Sequence, residues 1–125
     1  MILSQIQILL NAEFISGQTA QHLDIKYAKA SDLMSDVLAF SKPYSERNTL
    51  LVTGLTNKQV VRTCEIAGVG AIIFVRGKNP TEETIELAEQ CNIPLLTTKL
   101  KMFEACGILY TEGIIGATPD AFENK

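Results

Sequence analysis

The feature that most limits what this chain can become is a rhythm in its second half. Three short apolar runs, Leu50–Thr53, Ala71–Val75 and Ile93–Thr97, recur about 22 residues apart, each followed by a turn and a stretch of helical period. Runs that are apolar on both faces predict strands buried on both sides. Strands separated by helices predict parallel pairing with right-handed crossovers. Gly54 turns the chain after the first run, and Thr56 or Asn57 is placed to cap a helix reaching about Ala67, closed by Gly68. After the second run, Arg76-Gly77-Lys78-Asn79-Pro80 forms the turn. Asn79 is expected to cap the next helix, with Pro80 at its first position and Glu82 at capping-box spacing. In that helix Ile85, Ala88 and Cys91 line one face, while Glu83, Glu86 and Glu89 face water. A last helix is expected from about Lys99 to Tyr110, with Leu100, Phe103 and Cys106 on one face and Gly113 as its stop.

The first 45 residues do not keep this rhythm. Ile6, Leu9 and Leu10 predict a helix over Leu3–Leu10, stopped at Asn11. Glu13–Ser16 reads as a short strand, Gly17–Leu23 as a polar loop and Ile25–Ala30 as a second strand. Ser31 is a helix cap, Asp32 complements the positive end of the helix dipole, and Pro43 ends that helix. The short strands are expected to join the same sheet. The expected fold class is therefore α/β: a layered α/β/α single domain with a mixed, mainly parallel sheet. Residues 1–113 are expected to form this domain and residues 114–125 a C-terminal tail.

Composition narrows the class further. The chain has 125 residues, 46% of them hydrophobic and 20% charged, with a net charge of −3. That suits one globular domain and excludes a disordered chain, a collagen-like chain or a small disulfide scaffold. The acidic balance argues against nucleic acid as a partner. No apolar run approaches the roughly 20 residues that cross a membrane, and the N-terminus lacks the basic region of a secretory signal. Cys64, Cys91 and Cys106 form no CxxC pair, and His22 is the sole histidine. No metal site and no cofactor are expected, and the thiols read as small hydrophobes in a reduced, cytoplasmic setting.

In a parallel sheet, ligands bind beyond the carboxyl ends of the strands. The loops expected there contribute Gly54, Thr56 and Asn57 from the first, Arg76, Gly77 and Lys78 from the second, and Thr97, Thr98 and Lys99 from the third. With Lys58 and Lys101 nearby they form a locally basic rim, each loop preceding a helix N-terminus. One reading is a site for a phosphate, a nucleotide or another small anion. The other is ordinary turn chemistry, since neither GxGxxG nor GxxxxGK[ST] is present. No catalytic set is legible. His22 lies in a polar loop, Ser31 and Asp32 are explained as a cap, and the glutamates from Glu82 to Glu89 spread over a solvated helix. Cys64 and Cys106 fall at apolar helical positions. An enzyme would need an acid or base such as Asp32 or Glu104 brought to the rim by folding, and burial of either beside Arg76 or Lys99 would favour that reading.

The segment Ala30-Ser31-Asp32-Leu33-Met34-Ser35-Asp36-Val37-Leu38 resembles the start of a DRTGG domain. So does the order Leu50 to Gly54, Ala71 to Pro80, and Ile93-Pro94-Leu95-Leu96-Thr97 followed by Met102-Phe103-Glu104-Ala105. The resemblance spans residues 2–112 as a distributed pattern. DRTGG domains are similar to the N-terminal domain of HPr kinase/phosphorylase, and occur in some phosphotransacetylases and between the CBS domains of certain inorganic pyrophosphatases. There they are accessory modules, regulatory or dimer-forming. The resemblance implies an α/β fold, no catalysis of its own and a homodimer. The sequence departs from the family's glycine-rich signature: Gly54-Leu55-Thr56 stands where relatives have Gly-Asp-Arg, and Val75-Arg76-Gly77 where they have Thr-Gly-Gly. No CBS, kinase or transferase domain is expected to accompany it. The expected function is a standalone regulatory or interaction domain, self-associating through an apolar sheet edge or helix face, sensing a small anionic metabolite or joining a protein partner. The alternative is a nucleotide- or phosphate-binding module.

Overall fold

A computed structural model describes residues 1–39 and 47–117. Helix α1 (Leu3–Leu9) and strand β1 (Glu13–Ser16) open the chain, followed by a short 3-10 turn at Gln18–Ala20 inside the expected polar loop. Strand β2 (Tyr27–Ala30) and helix α2 (Met34–Ala39) come next. The regular half supplies β3 (Thr49–Thr53), α3 (Lys58–Ala67), β4 (Ala71–Phe74), α4 (Glu82–Gln90), β5 (Leu95–Thr97) and α5 (Met102–Thr111). A two-residue strand, β6 (Ile115–Gly116), follows. The helix end expected at Pro43, and the tail beyond residue 117, lie outside the described residues.

The six strands make one sheet in the order β1-β5-β4-β3-β2-β6. All neighbours pair in parallel except β1, which runs antiparallel to β5. The mixed, mainly parallel sheet follows from the apolar runs. Every residue of β3 and β4 is buried, so neither strand could face water. Within β3, Leu50 and Val52 join the core under α1 and α5, with Leu3, Ile6, Leu10, Ala105 and Leu109. Leu51 points the other way, into a second core with Val37, Val60, Val61, Cys64 and Ala88 from α2, α3 and α4. The period-two alternation of a strand thus feeds two apolar layers at once.

Four sequence expectations change. Helix α4 is capped by Thr81, whose hydroxyl accepts from the Thr84 amide at 3.3 Å, and not by Asn79. The residues before it are used in a tight turn: Arg76 and Gly77 take φ of +60° and +66°, and the Lys78 amide donates to the Val75 carbonyl. Glu82 and Glu83 then fall in the first turn, where the dipole favours them. In α5, the buried positions are Ala105 and Leu109, so Phe103 is rotated outward and is 85% exposed. Asp32 turns its Oδ1 to Thr53 and Gly54 and not to the backbone of α2, where Ser31 Oγ accepts from the Leu33 amide. Finally, the sheet continues past the boundary expected at residue 113, because β6 pairs with β2 and the Ala117 amide donates to the Ala28 carbonyl. No helix among the described residues is long and apolar enough to cross a membrane.

Candidate functional site

Parallel pairing puts the ends of β2, β3, β4 and β5 at one pole. The three loops expected there therefore share it. Asp32 joins them after β2, and Asn11 to Glu13 join because β1 enters from that pole in the antiparallel sense. Sequence reasoning placed Asp32 at the rim only as an acid or base for the enzyme reading, and it missed Asn11 to Glu13, because the antiparallel direction of β1 has no local signature.

Much of the polar chemistry in these loops ties them to one another. The Arg76 amide donates to the Leu100 carbonyl and the Gly77 amide to the Thr98 carbonyl, each at 2.8 Å. Thr97 Oγ1 donates to the Lys78 carbonyl at 2.8 Å. Thr98 is buried; its hydroxyl donates to the Leu10 carbonyl at 2.6 Å and accepts from the Leu100 amide. Thr98 is thus a brace between α1 and the last loop. Thr56 and Asn57 belong to the junction of α3 and α4. The Thr56 carbonyl accepts from Thr84 Oγ1 at 2.9 Å, and Asn57 caps α3 through backbone geometry alone. Lys58 is paired with Glu83 at 3.5 Å.

What remains open is a group around Arg76, Gly77 and Lys99. A cleft of about 270 Å³ is lined by Asn11, Ala12, Glu13, Gly77, Asn79, Thr97, Thr98 and Lys99. On its flank, Arg76 reaches toward β3. A methyl group on the buried Gly54 would run into its guanidinium, so glycine there makes the seat in which this side chain lies. Among the described residues the guanidinium has no ion pair and no hydrogen bond. Asp32 also lies against Gly54: its Oδ1 accepts from the Gly54 amide at 2.7 Å and from Thr53 Oγ1 at 3.0 Å. With Glu13, Asp32, Glu82 and Glu83 at this pole, the rim mixes acids with its lysines and arginine.

Asp32 and Glu104 are both exposed, so neither meets the condition of a carboxyl buried beside a base. Burial pushes the Cys64 thiol up to about 12, opposed in part by the Lys29 ammonium. Cys91 and Cys106 are also raised, first by burial. None is poised as a thiolate at neutral pH. Among the described residues no three His, Cys, Asp or Glu side chains gather as a metal ion requires. A larger cleft of about 520 Å³, lined by residues that include Gly17, Gln18, Asn92, Ile93 and Pro94, lies at the opposite pole, before β5.

No family model matches this chain, and no curated protein does. Solved structures do. One is of the CBS and DRTGG domains of the regulatory region of Clostridium perfringens pyrophosphatase, complexed with the activator diadenosine tetraphosphate. It superposes with a TM-score of 0.61 over 86% of this chain, at 21% identity. The fold is DRTGG-like. The match spans 45% of the pyrophosphatase chain, and at this identity it speaks to the architecture.

Proposed function

We propose that this DRTGG-like domain is regulatory and non-catalytic, and that it takes a small anionic ligand, a nucleotide or a phosphate, at the carboxyl pole of its sheet. Arg76, Gly77, Lys78 and Lys99 form the contact, with Gly54 as the seat for Arg76. The observation that carries this reading is the state of Arg76. A side chain other than glycine in the left-handed region costs about 1–2 kcal/mol. Here that conformation aims a guanidinium, unpaired among the described residues, across the end of a neighbouring strand. Strain of this kind concentrates where a ligand is held. The pyrophosphatase regulatory region, CBS and DRTGG domains together, is complexed with a nucleotide activator, which supports the same ligand class.

The test is a thermal-shift series with ADP, pyrophosphate and phosphate. A ligand at one hundred times its dissociation constant stabilises the fold by about 2.7 kcal/mol. Gly54→Ala is expected to remove most of that shift by displacing the guanidinium. Its own stability should change by less than about 1 kcal/mol, because the displaced group is the free end of a flexible side chain. No shift with any of the three ligands would contradict the reading.

Self-association belongs to the same proposal. Phe103, 85% exposed, and Tyr110, 75% exposed, lie on one side of α5 with Gly107 between them, and nothing stands within 4 Å of a methyl group built on that glycine. Residues four and three apart share a helix face, so this stripe suits a second copy of the chain. Sedimentation should show a dimer, and Phe103→Glu with Tyr110→Glu should yield monomers. A strict monomer at high concentration would exclude self-association.

A further inference from the structure

Asp32 stands where a plain anion site would have no acid. Its Oδ1 is committed to the Gly54 amide and the Thr53 hydroxyl, while Oδ2 has no hydrogen bond among the described residues and the side chain is exposed. The same position above Gly54 that meets the Arg76 guanidinium lies 3.5 Å from Asp32 Oδ1. Acid and base therefore flank one glycine, and they form no ion pair with each other. A bare phosphate drawn to Arg76 brings its charge close to the Asp32 carboxylate, and like charges at such range repel. A ligand that carries hydroxyl donors beside its phosphoryl group turns the same carboxylate into an acceptor, and charge-assisted hydrogen bonds are the stronger kind.

We propose that Asp32 makes this pole selective for a phosphorylated ribose, the sugar hydroxyls donating to Oδ2 and a phosphoryl oxygen resting on Arg76. The inference rests on the anion site proposed above and adds its selectivity. Position supports it as well. Asp32 follows β2 at the carboxyl end of a parallel sheet, beside a glycine that ends the neighbouring strand. That is where an acidic side chain can reach sugar hydroxyls in nucleotide-binding sheets of other folds.

The test is isothermal titration of the full chain with ADP, 2′,3′-dideoxy-ADP and pyrophosphate, repeated with Asp32→Asn. Asparagine keeps a carbonyl oxygen for the Gly54 amide but replaces the free acceptor or its charge. The wild-type chain is expected to bind ADP at least about tenfold more tightly than either other ligand, the scale of one charge-assisted hydrogen bond. Asp32→Asn should weaken ADP about tenfold and strengthen pyrophosphate several-fold, closing the gap. Equal wild-type affinities for ADP and its dideoxy form overturn the selectivity while leaving the anion site standing, and that comparison needs no variant. Absence of binding by all three ligands removes the anion site itself, and this inference with it.

Discussion

Arg76→Asn is expected to raise the melting temperature and to abolish ADP binding. Asparagine tolerates the left-handed region far better than arginine, and residue 76 sits there at φ +60°. Relief of that strain stabilises the fold by up to about 1 kcal/mol, a rise of roughly 4 °C for a domain of this size. Nothing among the described residues is lost in exchange on the side-chain end, because the guanidinium has no protein partner there. Removing a cation that pairs with a phosphoryl group costs about 2–5 kcal/mol of binding, so affinity should fall about thirtyfold or more. The opposite signs are the signature. If stability fell along with binding, Arg76 would be part of the scaffold, and its strain would have no functional reading.

The second large effect concerns Cys64 and alkaline pH. Its thiol is fully buried under α3, and burial pushes it from 9.0 to about 12. The folded value lies above the unfolded one, so the unfolded chain releases its proton first as pH rises. The stability linked to this group is complete below about pH 9 and is lost between there and pH 12, at up to about 1.4 kcal/mol per unit. By pH 10 the loss is on the order of 1 kcal/mol, and across the full window a few kcal/mol, a sizeable part of a typical domain's roughly 5–15 kcal/mol. Lys29 works in the opposite sense. Burial lowers its value from 10.5, so stability linked to it grows as pH climbs through that range. The useful readout is therefore the difference between the wild-type chain and Cys64→Ala, both of which keep Lys29. In urea unfolding at pH 8 and pH 10 that difference should shrink by more than about 1 kcal/mol. A difference that does not change with pH would show that Cys64 ionises as readily folded as unfolded.

The sheet was legible because β3, β4 and β5 are apolar at consecutive positions, a pattern that only burial on both faces explains. The loops were legible for the same reason: parallel strands must deliver their ends to one pole. Other features depended on contacts far apart in sequence. Ser31-Asp32 has the local form of a helix cap, yet Asp32 is claimed by the Gly54 amide, 22 residues away. Asn79 before Pro80 has the local form of a cap, but the Arg76-Gly77 turn uses the residues before Pro80 and leaves the cap to Thr81. Phe103 faces outward because the Ala105 and Leu109 register set the rotation of α5, and three residues of phase are invisible to a pattern count. Thr97 and Thr98 carry hydroxyls suited to a ligand, but the fold uses both as braces. A two-residue strand such as β6 is too short to announce itself at all.

The most direct measurement is a titration of the isotopically labelled chain with ADP, following backbone amide resonances. The signals of Gly54, Arg76, Gly77 and Lys99 are expected to move together and saturate, while those of Gly17, Gln18, Asn92 and Ile93 stay still. Movement confined to the latter group would place the ligand in the larger cleft at the opposite pole and contradict an anion site at the carboxyl pole of the sheet, as would a spectrum that ADP leaves unchanged.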